Sequence, residues 1–464
     1  MAGLGASSRS VFRRCRSLAA AAVTSALVGG MVAGGAPTMV AAQAAACGTV
    51  VAGGLNSPRF VAVADDGTVY VSEGGTGGAE VLPSGPEEQA GPPGTRGLTG
   101  QVTRVAPNGA KSVLAGNLPS YFNPIEGAVG PAGLALGGGA LWLAIGSSGE
   151  GYTHLPPLPN EASVVRISLP GGAITKVADL GAYEAANNPG GFAVDTDPYG
   201  LARAADGTIY AADAGGNTLY RIAPAGQVSV AAVLPGLPLP PGAPAPPGGN
   251  PSRGGANEID PVPTGVAVGP DGSVYLGLLS GFPFPPGAAK VVRLGVGGAT
   301  TDVARGLTMV TGVAVGPDHT LYVSEISTGV SLSAQGLQIA PGRVERVLPS
   351  GSTQVVADGL MAPNGIAFDR LGNLYVVVNS AFTPPDAGAA GQVVRCDRVA
   401  APAAGLPRTG SAAPVAPSPR LPLVLAWPAL AIAAAATYNR RCLPNVPRCF
   451  ANSRRCWNNR RCSS

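Results

Sequence analysis

The sequence predicts an all-β fold, a six-bladed β-propeller closed by its N-terminal strand, and three observations carry that prediction. A strand–turn–strand opening recurs six times, a second hairpin follows five of the six, and the fragment missing from the last unit stands at the other end of the chain. The openings read SPRFVAVADDGTVYVSE from Ser57, GPAGLALGGGALWLAIG from Gly130, DPYGLARAADGTIYAAD from Asp197, VPTGVAVGPDGSVYLGL from Val262, VTGVAVGPDHTLYVSE from Val310 and APNGIAFDRLGNLYVVVN from Ala362. The second hairpins begin at Gly100, Ser163, Asn217, Ala289 and Gly342. Four antiparallel strands cannot bury both of their faces alone, so a repeated unit of this kind stacks against its neighbours in a ring.

The sixth unit offers GQVVRCDRV from Gly391 as its third strand and nothing after it. CGTVVAGGL, residues 47 to 55, matches the outer-strand pattern STQVVADGL from Ser352. The first strand is therefore expected to complete the last blade, which removes the free edge pair. That closure sets Cys47 beside Cys396, the two cysteines of the body, and predicts a disulfide worth roughly 4 to 5 kcal/mol over so long a loop. Two buried thiols, or a lipidated Cys47, are the alternatives.

Composition narrows the class. Gly (69) and Pro (46) are abundant, yet 45% of residues are hydrophobic and fall in strand-length runs, which excludes collagen-like and disordered chains. The formal charge of +4 averages unlike regions: between Cys47 and Val399 there are 17 Lys/Arg against 26 Asp/Glu, a net of −9. A body this acidic has no electrostatic footprint for nucleic acid.

The ends read as address and tether. Residues 1–46 run from Arg9, Arg13, Arg14 and Arg16 through an apolar stretch to small residues, the order of a secretory signal peptide, with an uncleaved anchor as the alternative. Residues 47–399 are the propeller. A Pro/Ala-rich linker (400–420) carries Leu406, Pro407, Arg408, Thr409 and Gly410, which resembles a sortase sorting motif. A hydrophobic anchor (421–438) and a basic, Cys-containing tail (439–464) follow. Basic residues after the apolar run would hold that end inside and the body outside, at a membrane or cell wall. Translation of a shifted frame is the alternative for the last residues of the tail.

Loop lengths separate the two faces of the disc. First-to-second and third-to-fourth turns are short, while the segments 74–99, 147–162, 181–196, 236–261, 326–341 and 380–390 are long and emerge together. A protein, glycan or small-molecule partner is expected on that face, around the channel mouth. Glu73, Asp213, Glu325 and Asn379 end second strands there, as a ring of oxygens for Ca²⁺ or as acceptors for backbone N–H groups of the adjoining blade. The inner strands start with Arg59, Tyr199, Thr264, Thr311 and Asn364 around the mouth, and Glu73, Asp213 and Asn364 are the ligand set if a metal is bound. Only His154 and His319 are available for acid–base work near neutral pH, and no G-x-S-x-G elbow, H-E-x-x-H or phosphate loop is present.

Two resemblances bear on function. Asn364, in PNGIAF, resembles a metal-ligand position of the senescence-marker and gluconolactonase family, but the other blade starts hold Arg59, Ala132, Tyr199, Thr264 and Thr311 where that family has further ligands. The alternation P-x-G-[VIL]-A and D-G-x-[LIV]-Y-V resembles NHL-type propellers. More specifically, DLGAYEAANNPGGFAVDTDPYGLA from Asp179, YAADAGGNTLYRI from Tyr210 and VPTGVAVGPDGSVYLGLLSGFPFPPGAAKVVRL from Val262 resemble the ScyD/ScyE family of secreted propellers. That resemblance implies a binding or assembly module without catalysis of its own. The alternatives are a metal-dependent hydrolase or lactonase at the channel mouth, and an accessory protein of scytonemin-like envelope biosynthesis.

Overall fold

The computed structural model describes residues 47–82, 94–123, 127–147, 155–241, 250, 253, 255, 257–333, 336–381 and 389–402. The signal peptide, the sorting motif Leu406–Gly410, the hydrophobic segment, the basic tail and His154 lie outside them. Among the described residues no helix is long and apolar enough to cross a membrane.

Six sheets follow one another along the chain, each with four antiparallel strands as its core. Blade 1 is Pro58–Val63, Val69–Glu73, Thr95–Val105 and Lys111–Asn123; blade 2 is Pro131–Gly137, Ala140–Ile145, Ser163–Ser168 and Ile174–Asp179. Blade 3 is Pro198–Arg203, Ile209–Asp213, Thr218–Ile222 and Val228–Val233; blade 4 is Pro263–Val268, Val274–Leu278, Ala289–Leu294 and Thr300–Leu307. Blade 5 is Val310–Val315, Leu321–Glu325, Gly342–Val347 and Thr353–Leu360. Blade 6 takes Ile366–Phe368, Leu374–Val378 and Gly391–Cys396 from the end of the body and Thr49–Leu55 from its beginning, with Thr49 opposite Arg395 and Leu55 opposite Gly391. The closure expected from the sequence is the closure observed.

Because side chains alternate along a strand, each central strand faces two neighbouring blades and is buried on both sides. Val69 and Val71 pack with Val377, Val393 and Leu55 of blade 6, whereas Tyr70, between them, packs with Leu141 and Leu143 of blade 2. Cys47 and Cys396 form a disulfide across 349 residues of sequence, with Cα atoms 4.1 Å apart. Pinning so long a loop removes unfolded-state entropy worth about 6 kcal/mol in the chain-entropy model.

The P-x-G signature has a steric cause. A Cβ on Gly133 would stand 2.4 Å from the Leu201 nitrogen, on Gly200 1.8 Å from the Thr264 oxygen, and on Gly265 2.4 Å from the Val313 nitrogen. On Gly312 it would meet the Asn364 oxygen at 2.6 Å, and on Gly365 the Phe60 Cα at 2.6 Å. Each glycine thus abuts the next blade, and the series runs round the ring from blade 2 back to blade 1. In blade 1 the position is Phe60, whose ring meets Tyr199 edge-on at 5.4 Å. The inner turns also want a left-handed residue: Gly67, Gly207, Gly272 and Gly372 lie at φ 82 to 90°, and His319 takes the same place in blade 5 at φ 65°.

The long-loop face carries structure that the repeats do not announce. The segment before blade 3 holds helix α1 (Leu180–Asn187), capped by Asp179, whose carboxylate accepts from the Ala182 N–H. The second hairpin of blade 1 reaches beyond the blade, pairing Thr95 with Phe122. Two short ribbons, Leu237–Pro238 with Glu258–Ile259 and Val330–Ser333 with Gly336–Ile339, sit in the connections 236–261 and 326–341.

The axial contact is directly testable. Gly200→Ala is expected to lose about 3 kcal/mol or more in denaturant unfolding, since the Thr264 carbonyl is backbone and cannot rotate away. Gly329→Ala, whose Cβ would meet nothing within 4 Å, is the control and should change stability by less than about 0.5 kcal/mol.

Candidate functional site

Strand register shows which of the sequence-predicted residues are equivalent. Glu73, Asp213 and Glu325 pair across to Pro58, Pro198 and Val310, the first residues of inner strands in blades 1, 3 and 5. In blades 2 and 4 the same place is Ile145 and Leu278, opposite Pro131 and Pro263. Carboxylate and aliphatic side chains therefore alternate round the ring. Asn379 does not belong to the set: in blade 6 Ile366 pairs with Val376, which puts Val378 at the carboxylate position and Asn379 one residue beyond. Asn379 sits at φ 52° and donates its amide to the Ala390 carbonyl at 3.1 Å.

The three carboxylates are buried and engaged locally. Glu73 accepts from the Asn56 N–H at 2.7 Å, from the Gln101 amide at 2.9 Å and from the Thr103 hydroxyl. Asp213 Oδ1 accepts from the Asp197 and Gly216 N–H groups at 2.7 and 3.1 Å, and Glu325 accepts from the Thr308 N–H and the Arg343 Nε, each at 2.6 Å. Asn56, Asp197 and Thr308 all lie one or two residues before the inner strand of the same blade. Each acid thus fastens the segment by which the chain enters its blade, satisfying an N–H that would otherwise be buried without a partner.

The inner-strand starts form a second ring. Arg59 turns its guanidinium onto the Ala128 carbonyl, with Nε at 3.2 Å and Nη2 at 2.5 Å. Thr264 donates to the Val310 carbonyl at 2.8 Å and Thr311 to that of Pro363 at 3.3 Å, both toward the following blade. Tyr199 and Asn364 instead meet across the channel: the phenol donates to Asn364 Oδ1 at 2.9 Å, joining blade 3 to blade 6 on the opposite side.

Above that bridge lies a cavity of about 840 Å³, lined by Arg59, Tyr199, Thr264 and Thr311 below and by residues of the long connections around it. One wall is acidic. Glu184, on α1, is buried, its carboxylate accepts from the Thr196 hydroxyl, and burial raises its pKa above the ordinary carboxylate range. Asp213 is pushed well above that range, first by burial and then by the charge of Glu184. A Cβ on Gly216 would stand 2.9 and 3.0 Å from the two Glu184 oxygens and 3.1 Å from Asp213 Oδ2, so the two carboxyls face one another where no side chain intervenes. Asp213 Oδ2 has no other hydrogen-bond donor, and a proton shared between the two acids would supply one. Neither Glu184 nor the cavity's aromatic residues Phe192, Phe282 and Phe284 were among the residues singled out from the sequence. The capping signal of Asp179 before an Ala-rich run was the available clue to α1.

Metal chemistry does not fit the residues proposed for it. Glu73, Asp213 and Asn364 stand in blades 1, 3 and 6, each engaged by its own hydrogen bonds. Among the described residues no group of three or more His, Cys, Asp or Glu side chains is arranged to hold a metal ion.

No protein-family profile matches the chain, and no curated protein matches it in sequence. Among solved structures it is similar to virginiamycin B lyase from Staphylococcus aureus at 14% identity, covering 75% of this chain and 97% of that one with a TM-score of 0.41. A gluconolactonase from Xanthomonas campestris matches at 15% identity over 74% and 87%, TM-score 0.42. Regucalcin, a calcium-binding protein from Agrobacterium tumefaciens, matches at 11% over 75% and 92%, TM-score 0.42. At these values the likenesses carry nothing about chemistry. What fold and site define together is a six-bladed propeller with a ligand-sized cavity at its channel mouth; the likeness to the ScyD/ScyE family rests on the sequence motifs alone.

The paired acids give a pH dependence whose sign is fixed. A carboxyl whose pKa is raised on folding stabilises fully below its unfolded value near 4, and that stabilisation is lost as pH rises through the folded value. The melting temperature is expected to fall between pH 5 and pH 8. Glu184→Gln, which keeps the shape and offers Asp213 a permanent donor, should flatten the profile and raise stability at pH 8 by about 1 kcal/mol, roughly 2 °C.

Proposed function

We propose that the chain is an exported binding module of ScyD/ScyE type, tethered through its C-terminus, that receives a small molecule, a glycan unit or a peptide end in the channel mouth without transforming it. One observation carries the reading: the cavity at the channel mouth is of ligand size, and Tyr199, bonded across the channel to Asn364, is part of its lining. Its walls combine apolar surface from Leu279, Phe284, Met309 and Ile326 with a few convergent polar groups, the composition of a binding site. Export is supported by the basic, apolar and small-residue order of the first 46 residues, and the cystine suits an oxidising compartment.

A metal-dependent hydrolase is favoured by one feature, the PNGIAF motif around Asn364. Against it, the Asn364 amide is held by Tyr199 and Ser380, and the blade starts that would supply further ligands hold Arg59, Thr264 and Thr311. Exhaustive dialysis against a chelator separates the two readings. The melting temperature should stay within 1 °C of its starting value, roughly the scatter of such measurements, whereas a resident cation bound far above its Kd would cost several degrees on removal.

The binding reading is tested by a thermal-shift screen with amines, carboxylates, sugars and short peptides. A ligand at a hundredfold excess over its Kd should raise the melting temperature by about 3–5 °C. Ala193→Trp places an indole in the mouth from an exposed position and should abolish the shift while leaving the unliganded melting temperature unchanged. Ligand shifts that persist in Ala193→Trp would remove the channel mouth as the site.

A further inference from the structure

We propose that the ligand of this cavity is an organic cation, a protonated amine or guanidinium carried on an apolar body. The inference rests on the binding reading above and adds the chemical class to it.

Charge on the wall is one-sided. Among the described residues Glu184, Asp195, Asp197 and Asp260 line the cavity with Arg59 as the one basic lining residue, and Asp260 is paired from behind with Arg253 Nη1 at 3.6 Å. The Arg59 guanidinium is buried and spends its Nε and one Nη2 donor on the Ala128 carbonyl. Acids lining a concave, low-dielectric site focus a negative potential on its interior.

The acidic wall is also left open by the backbone. Gly215 and Gly216 form it without side chains; a Cβ on Gly215 would stand 2.8 Å from Asp195 Oδ1, just as one on Gly216 would crowd Glu184 and Asp213. A cationic group entering there approaches the acidic wall at Glu184 and Asp195, both of which line the cavity. Asp213, fully buried behind Gly216, does not line the cavity itself but faces Glu184, which does. An approaching positive charge favours the ionised form of Glu184, so binding should release any proton that Glu184 and Asp213 share.

Aromatic side chains at the rim supply the second half of the recognition. Phe282 is 63% exposed and Phe192 40% exposed, although both line the cavity, and Phe284 packs edge-on to Phe282 at 5.9 Å. Exposed aromatic faces beside a carboxylate wall suit cations, which they attract through the ring quadrupole. The protein already shows this at one face: the Arg253 guanidinium lies 5.0 Å from the Phe192 ring centre while its Nε pairs with Glu258. Phe282 and Phe284 present the corresponding surface to a ligand.

Calorimetric titration of the full chain with three probes that share a phenylethyl body decides the matter: 2-phenylethylammonium, the neutral N-(2-phenylethyl)acetamide, and 3-phenylpropionate. The ammonium should bind saturably, at least tenfold more tightly than the amide, weaken as salt is raised, and release a proton that is read from the dependence of the heat on buffer. The carboxylate should show no saturable binding. Asp195→Asn combined with Asp197→Asn should weaken the ammonium about tenfold. Phe282→Arg, at an exposed position that leaves folding undisturbed, should do the same by placing a fixed cation at the rim. Asp271→Asn, on the opposite face, should change nothing. Equal or tighter binding of the amide or carboxylate would overturn the cation class and leave the channel mouth standing as a site. Absence of saturable ammonium binding would overturn the cation class as well, with the Ala193→Trp screen deciding separately whether the mouth binds anything.

Discussion

Six inner segments converge on the channel axis so closely that at five of the six equivalent positions there is no space for a β-carbon. The contacts at Gly133, Gly200, Gly265, Gly312 and Gly365 are backbone against backbone, and they set the pitch from one blade to the next. Everything outward of the axis inherits that spacing: the interdigitated Val, Leu and Tyr layers between blades, and the positions at which the long connections emerge. Phe60 is the exception that fills the centre, where its ring and that of Tyr199 occupy space the glycines leave.

Around this frame, polar groups mainly fasten and seldom react. Glu73, Asp213 and Glu325 hold the entry segments of alternate blades, and in the others the same register position is a buried aliphatic residue, Ile145, Leu278 or Val378. Hydroxyls complete the ring: Ser72 donates to the Ala132 carbonyl at 2.6 Å and Ser324 to that of Asn364 at 2.5 Å, each joining one blade to the next. Repetition alone therefore misleads as a sign of chemistry, because a ring closed by geometry needs the same fastening several times over. The residues that distinguish one sector are better guides, and they gather in the connection before blade 3, where α1 brings Glu184 against Asp213.

How much of this was legible follows from what each feature depends on. Blade number, closure by residues 47–55 and the cystine could be read because they depend on local patterns repeated in order. The alternation of short and long turns located the mouth for the same reason. Asn379 was misplaced because VVVN resembles VYVSE by eye; counted from Tyr70, Tyr210 and Tyr322 the acids fall three residues on, whereas Asn379 falls four after Tyr375. Helix α1 was hidden by its setting, a short Ala-rich run between a strand and an Asn-Asn-Pro-Gly-Gly turn. The Tyr199–Asn364 bridge and the aromatic rim depend on which blades face each other across the axis, and no local pattern records that.

The cystine has a further consequence for the exposed connections. It joins residues 349 positions apart in sequence, so every long loop of the mouth lies within the covalent circle it closes. A peptidase in the surroundings that severs one such loop opens the circle but releases no fragment. Both pieces stay attached through sulfur, and the sheets on either side of the cut remain held by their neighbours. A recognition rim built on these loops can thus be nicked without being shed.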